Sequence, residues 1–155
     1  MRRDLNCISA RAPQTANDLR EPAIAQHVAS LRDDLALTQV LSSDRHTVKP
    51  WFASKIDFAP PVFDFAEQGF TLVGGRLDAL DGQRAAAIVY RLREHRINLF
   101  VWRAANLQAA PVALSSLRGF GVAAWAADGL NFAAVSDVDG AELRRFALLV
   151  QAQTH

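Results

Sequence analysis

Apolar and polar positions alternate most regularly between Phe70 and Trp102, FTLVGGRLDALDGQRAAAIVYRLREHRINLFVW. Apolar and β-branched runs of similar length are broken there by Asp81-Gly82 and by Glu94-His95-Arg96, so the stretch predicts three consecutive strands in a meander. A hairpin is predicted at Phe120 to Ser136, where Asp128-Gly129 stands between GFGVAAWAA and LNFAAVS and tolerates the positive φ angles of a type I′ turn. The expected fold is therefore α+β: an antiparallel sheet of about five strands, a meander plus a hairpin, with an N-terminal helix and a C-terminal helix packed on the sheet.

Period two also assigns faces. Ile88, Tyr90 and Leu92 point to one side and Val89, Arg91 and Arg93 to the other, while Ile97, Leu99 and Val101 oppose Asn98, Phe100 and Trp102. Both faces carry apolar groups, which predicts cover on each, a helix on one and aromatic coil on the other. Gly74-Gly75 inside the first strand predicts a bulge or a close backbone approach; a phosphate loop is excluded because no Lys-Ser/Thr pair follows.

Period three to four appears at both ends of the chain. From a cap at Asn17 or Asp18 a helix is expected to about Leu41, with Pro22 in its first turn and a stripe of Ile24, Val28, Leu31 and Leu35. A last helix is expected after Ser136 and Asp137 as caps, with Asp139 in its first turn and a stripe of Leu143, Phe146, Ala147 and Val150. Between Leu41 and Gly69 no clean period exists. Pro50, Pro60 and Pro61 predict ordered coil in which Trp51, Phe52, Phe58 and Phe63 anchor on the sheet, and residues 104–117 read as a connection across a sheet edge. The organisation expected is residues 1–17 as a disordered tail, 18–42 as the N-terminal helix or stalk, and 43–152 as an α+β sensor or interaction domain.

Composition narrows the function classes. The chain has 155 residues, half of them hydrophobic, and a net charge of +1, enough for one core and without the charge excess that draws nucleic acid. Arg91, Arg93 and Arg96 read as a solvated patch, and no nucleic-acid partner is expected. The single cysteine, Cys7, excludes an internal disulfide and a cysteine-rich zinc site within this chain. No apolar run approaches the roughly 18 to 20 residues of a membrane span, and the start lacks a secretory hydrophobic region.

Catalytic chemistry is not legible. His27, His46, His95 and His155 are scattered without metal-ligand spacing, and neither Ser42-Ser43 nor Ser115-Ser116 sits in a nucleophile-elbow frame. His27, beside the first helical stripe, receives no role. Asp57, Asp64, Asp78 and Asp81 are explained by turns. No enzyme, cofactor or metal is expected. The candidate binding residues are His46, Lys49, Trp51, Phe52, Tyr90 and Trp102, which would line a contact surface or, in the alternative, wall an apolar small-molecule pocket between coil and sheet.

Four segments together resemble a known family: His46-Thr-Val-Lys-Pro-Trp-Phe52, Asp57-Phe-Ala-Pro-Pro61, Gly69-Phe-Thr-Leu-Val-Gly-Gly-Arg-Leu-Asp78, and Ile97-Asn-Leu-Phe-Val-Trp102. Arg118-Gly-Phe120, Trp125 and Ser136-Asp-Val-Asp-Gly-Ala-Glu-Leu-Arg144 extend the pattern, which covers about Ala23 to Gln151. It is similar to the C-terminal extracytoplasmic domain of bacterial transmembrane anti-sigma factors, the zinc-associated type that pairs with extracytoplasmic-function sigma factors. The resemblance implies a regulatory, non-enzymatic protein-interaction domain at the periplasmic face of the inner membrane. In that family a cytoplasmic His-x-x-x-Cys-x-x-Cys segment holds the sigma factor and one span follows it. This chain has neither, so no zinc or sigma-binding role passes to any residue here, and the membrane and the sigma factor would be reached only through that missing segment. A homodimer through the N-terminal apolar stripe is a further expectation.

Overall fold

The computed structural model describes residues 15–32 and 38–154. The expected tail up to residue 14, with Cys7, and the stripe position Leu35 lie outside them. The elements are α1 (Arg20–Arg32), β1 (Val40–Leu41), α2 (Arg45–Ala53), a 3₁₀ turn (Ala66–Gln68), β2 (Thr71–Leu80), β3 (Gln83–Leu92), β4 (His95–Arg103), β5 (Ala110–Leu117), β6 (Phe120–Ala127), β7 (Leu130–Ser136) and α3 (Gly140–Gln153).

Seven strands form one sheet in the order β1-β2-β3-β4-β7-β6-β5, every neighbouring pair antiparallel. The expected meander is β2-β3-β4 and the expected hairpin is β6-β7. Asp128 and Gly129 have φ 55° and 77°, as a type I′ turn requires, and Asp81 with Gly82 repeats the geometry at 53° and 83°. The break after β3 falls one residue earlier than read, with Arg93 at φ 54°.

Two strands exceed the five expected. Residues 110–117, read as a connection, are the edge strand β5, paired with β6 through a further positive-φ turn at Arg118 and Gly119. An edge strand is half exposed, so its small and polar residues give no period to read. The second is β1: the helix expected to reach Leu41 has given way to a strand at Val40, which pairs with Gly75. Gly74 makes the approach possible, because a Cβ there would lie 2.1 Å from the carbonyl oxygen of Val40. The bulge expected at these glycines is present between Leu72 and Gly74.

The sheet faces alternate as the sequence implies, but their cover differs. One face carries Leu72, Ile88, Tyr90, Leu99 and Val101 beneath α3, α2 and the aromatic coil together, and Leu143, Phe146, Ala147 and Val150 are all fully buried there. The other carries Phe100, Trp102, Val122 and Val135 beneath α1. Helix and coil thus share one face rather than dividing the two.

Local capping departs from expectation in three places. Thr15 and Asp18 bond reciprocally across the turn that leads into α1, Thr15 N–H donating to Asp18 Oδ2 at 3.0 Å and Asp18 N–H to Thr15 Oγ1 at 3.3 Å, and Ala16 of the expected tail is buried. Asp139, not Ser136 or Asp137, caps α3, while Ser136 Oγ donates to the Arg96 carbonyl at 2.6 Å. The segment around Pro50 is the helix α2 rather than coil, begun by Asp44 and held by Val48 and Phe52, which bury completely one turn apart and outweigh the cost of an internal proline.

Candidate functional site: a polar clasp beneath the first helix

The six residues singled out from sequence do not converge. His46 and Lys49 stand exposed on α2, Trp51 is half-buried, and Phe52 is buried against Gly75, where a Cβ would approach its ring to 2.6 Å. Tyr90 is buried on the same face, whereas Trp102 is buried on the opposite one beneath α1, so Tyr90 and Trp102 cannot wall one pocket.

Tyr90 has a definite task. Its hydroxyl donates to the Phe63 carbonyl at 2.9 Å and accepts from the Phe63 N–H at 3.2 Å, pinning the aromatic coil to β3. Burial pushes the phenol far above its ordinary value of 10.0. The folded tyrosine therefore stays neutral where the unfolded one ionises, and its contribution is present below about pH 10 and lost as pH rises beyond it. Tyr90→Phe should cost about 1 to 3 kcal/mol at neutral pH by orphaning both Phe63 groups, and denaturant titrations across alkaline pH should show a flatter loss of stability than in the wild type.

Polar side chains converge elsewhere, between α1 and the sheet. The buried Arg76 on β2 donates Nε–H to Asp78 Oδ2 at 3.2 Å and an Nη1 hydrogen to Asn98 Oδ1 at 3.1 Å, with its guanidinium 5.9 Å from the Phe100 ring centre. Arginine has no acceptor, so this contact fixes the Asn98 amide with its NH₂ facing the helix. That NH₂ donates to Ser30 Oγ at 3.0 Å and to His27 Nδ1 at 2.6 Å, and Ser30 Oγ in turn donates to the His27 carbonyl at 2.7 Å. His27 Nδ1 must therefore be an acceptor, which makes the imidazole the neutral tautomer carrying its proton on Nε2. The ring also meets Phe120 edge-on at 5.5 Å.

The clasp explains why the first stripe is turned from its expected position. The buried residues of α1 are Ala23, Ile24, His27 and Ser30, whereas Leu31 is 44% exposed. Apolar spacing alone selects Val28 and Leu31; the helix instead presents its polar pair to Asn98. The signal that could have found it was two polar residues, Arg76 and Asn98, at inward positions of strands covered on both faces. Of the expected stripe, Ile24 is buried and Val28 packs against the same cluster on the chain's own sheet, while Leu31 stands outside it.

Elsewhere on the surface, Glu142 on α3 bridges Arg93 of the β3–β4 turn and Arg145 of its own helix. The hydrogen bond from Arg93, followed by that from Arg145, holds its carboxyl below the usual range. Arg145 also lies over the Phe70 ring at 4.6 Å. A cavity of about 240 Å³ opens beside the β4–β5 connection, lined by Asn17, Asn106, Gln108, Trp125 and Asn131 among others. Among the described residues no cluster of three metal-ligating side chains occurs, and no helix is long and apolar enough to cross a membrane.

Fold and site together define an α+β domain on a single seven-stranded antiparallel sheet, with one helix docked through polar contacts. No protein-family model, curated protein or solved structure matches the chain.

Proposed function

We propose that this is a non-enzymatic regulatory domain of the anti-sigma type, which works by holding or releasing its first helix. The observation that supports this reading most is the clasp. The polar side chains buried between α1 and the sheet are engaged in fastening the helix: Asn98 on β4, oriented by Arg76 on β2, bonds His27 and Ser30, and a helix held through hydrogen bonds to Asn98 is freed when those bonds are exchanged for others. A signal reaching the outer face would then be read as docking or undocking of the segment that, in the family resembled, leads back to the membrane. The sigma factor itself would be held by a different segment, as the resemblance implies, and the domain's own partner is a protein.

The reading is tested in the coding sequence upstream. An open frame is expected to continue into about 20 apolar residues, preceded by the His-x-x-x-Cys-x-x-Cys segment. A frame closed immediately upstream by a stop codon would remove the anti-sigma assignment. The cavity beside the β4–β5 connection favours a second reading, a small-molecule sensor, since amide side chains and an apolar wall meet there.

A further inference from the structure

The two edges of the sheet are finished differently. At the β1 edge the backbone of β2 is covered: Gln39 N–H donates to the Gly75 carbonyl at 2.9 Å and Ser42 N–H to the Val73 carbonyl at 3.0 Å. One step further along, the Gln39 side chain takes the Leu77 N–H at 2.9 Å. The edge is capped by a two-residue strand and an amide.

At the other edge β5 offers eight residues, APVALSSL, with no charge among them. Its turn fixes which backbone groups are used. A two-residue turn at Arg118-Gly119 makes Leu117 and Phe120 the closing hydrogen-bonded pair. Alternation then directs the N–H and C=O of Ser115 and Ala113 to β6, and those of Ser116 and Leu114 outward. Proteins ordinarily blunt such an edge with charge, proline or a covering segment; among the described residues no strand pairs with the outer side of β5, and proline and a bulge occur only at its start, between Ala110 and Ala113. Leu114 is 44% exposed beside Gly140, and Leu107 on the adjoining connection is 83% exposed.

We propose that β5 is a dimerisation strand, pairing antiparallel with β5 of a second copy about a two-fold axis at Leu114, so that the two sheets become one. A row of outward N–H and C=O groups is complemented by an extended strand and by little else. Two-fold pairing at Leu114 matches outward groups with outward groups, Leu114 opposite Leu114 and Ser116 opposite Val112. An uncharged strand meets its own copy without repulsion. Val112 and Leu114 of both copies then continue the apolar layer under α3.

The test is sedimentation equilibrium of the full chain from about 1 to 100 µM, a range that brackets a dimer of micromolar affinity. The wild type should shift from monomer to dimer. Leu114→Lys and Leu114→Glu should each stay monomeric with an unchanged melting temperature, and an equimolar mixture should recover a one-to-one dimer. If either charge variant fails to fold, Ser116→Pro replaces it, since the N–H it removes points outward and serves no bond among the described residues; it too should be monomeric. A wild type that is monomeric throughout overturns the proposal and leaves the edge to an extended peptide of another protein. A dimer that survives both Leu114→Lys and Ser116→Pro overturns it in favour of another surface.

Discussion

Asn98→Ala should lower the unfolding free energy by about 3 to 5 kcal/mol, the cost of removing one partner from a buried charged hydrogen-bond set. The methyl group gives Arg76 Nη1 no acceptor, and His27 Nδ1 and Ser30 Oγ lose their donor at once. The loss should be uneven. Hydrogen exchange should accelerate in α1 (Arg20–Arg32) far more than in α3 (Gly140–Gln153), since α3 packs on the opposite face and makes none of its contacts to Asn98. Replacing Arg76, Asn98 and His27 together by methionine and leucine, with Asp78→Asn to remove the carboxylate that Arg76 neutralises, should cost much less than Asn98→Ala, because paired polar groups are then exchanged together and no buried charge is left without its partner. A combined variant as unstable as the single one would show that the clasp's value lies in shape and not in pairing.

The second large effect belongs to the other face. Phe146 lies at the meeting point of the aromatic layer, with ring centres 6.2 Å from Phe65, 5.2 Å from Phe70 and 5.0 Å from Tyr90. Each of those contacts is tilted or edge-on, the geometry that aromatic pairs favour. Phe146→Ala should cost about 3 to 5 kcal/mol, from the transfer term and the cavity left behind. Chemical denaturation would measure it. The effect on α1 should be small, because Phe146 and the helix lie on opposite sides of the sheet, and the two losses should add in the double variant.

The sequence discloses those two faces unequally. Leu143, Phe146, Ala147 and Val150 announce their helix because apolar burial there has no competitor, and Asp128-Gly129 announces its turn because few dipeptides take two positive φ values. The central strands are equally plain in their alternation. What escapes is set by contacts distant in sequence. The rotation of α1 depends on Asn98, 71 residues from His27. The helix around Pro50 depends on Phe52 finding Gly75, and the strand at Val40 depends on the absence of a side chain at Gly74. Of the candidate site residues, Tyr90 and Phe52 turn out to be internal fastenings, and the residues that do converge are polar ones that period analysis passes over as interruptions.

The order β2-β3-β4-β7-β6-β5 divides the large strands into two three-stranded halves, each made of sequence neighbours and each ending at the centre. Such halves close over short loops and gather early, whereas the seam from Asn98–Val135 to Arg103–Leu130 must wait for the longer excursion that carries the chain out to β5 and back. Asn98 sits on that seam. The residue that orients the clasp is therefore assembled only when the halves join, so the first helix gains its berth last, and a late-formed berth is a natural point at which to regulate occupancy.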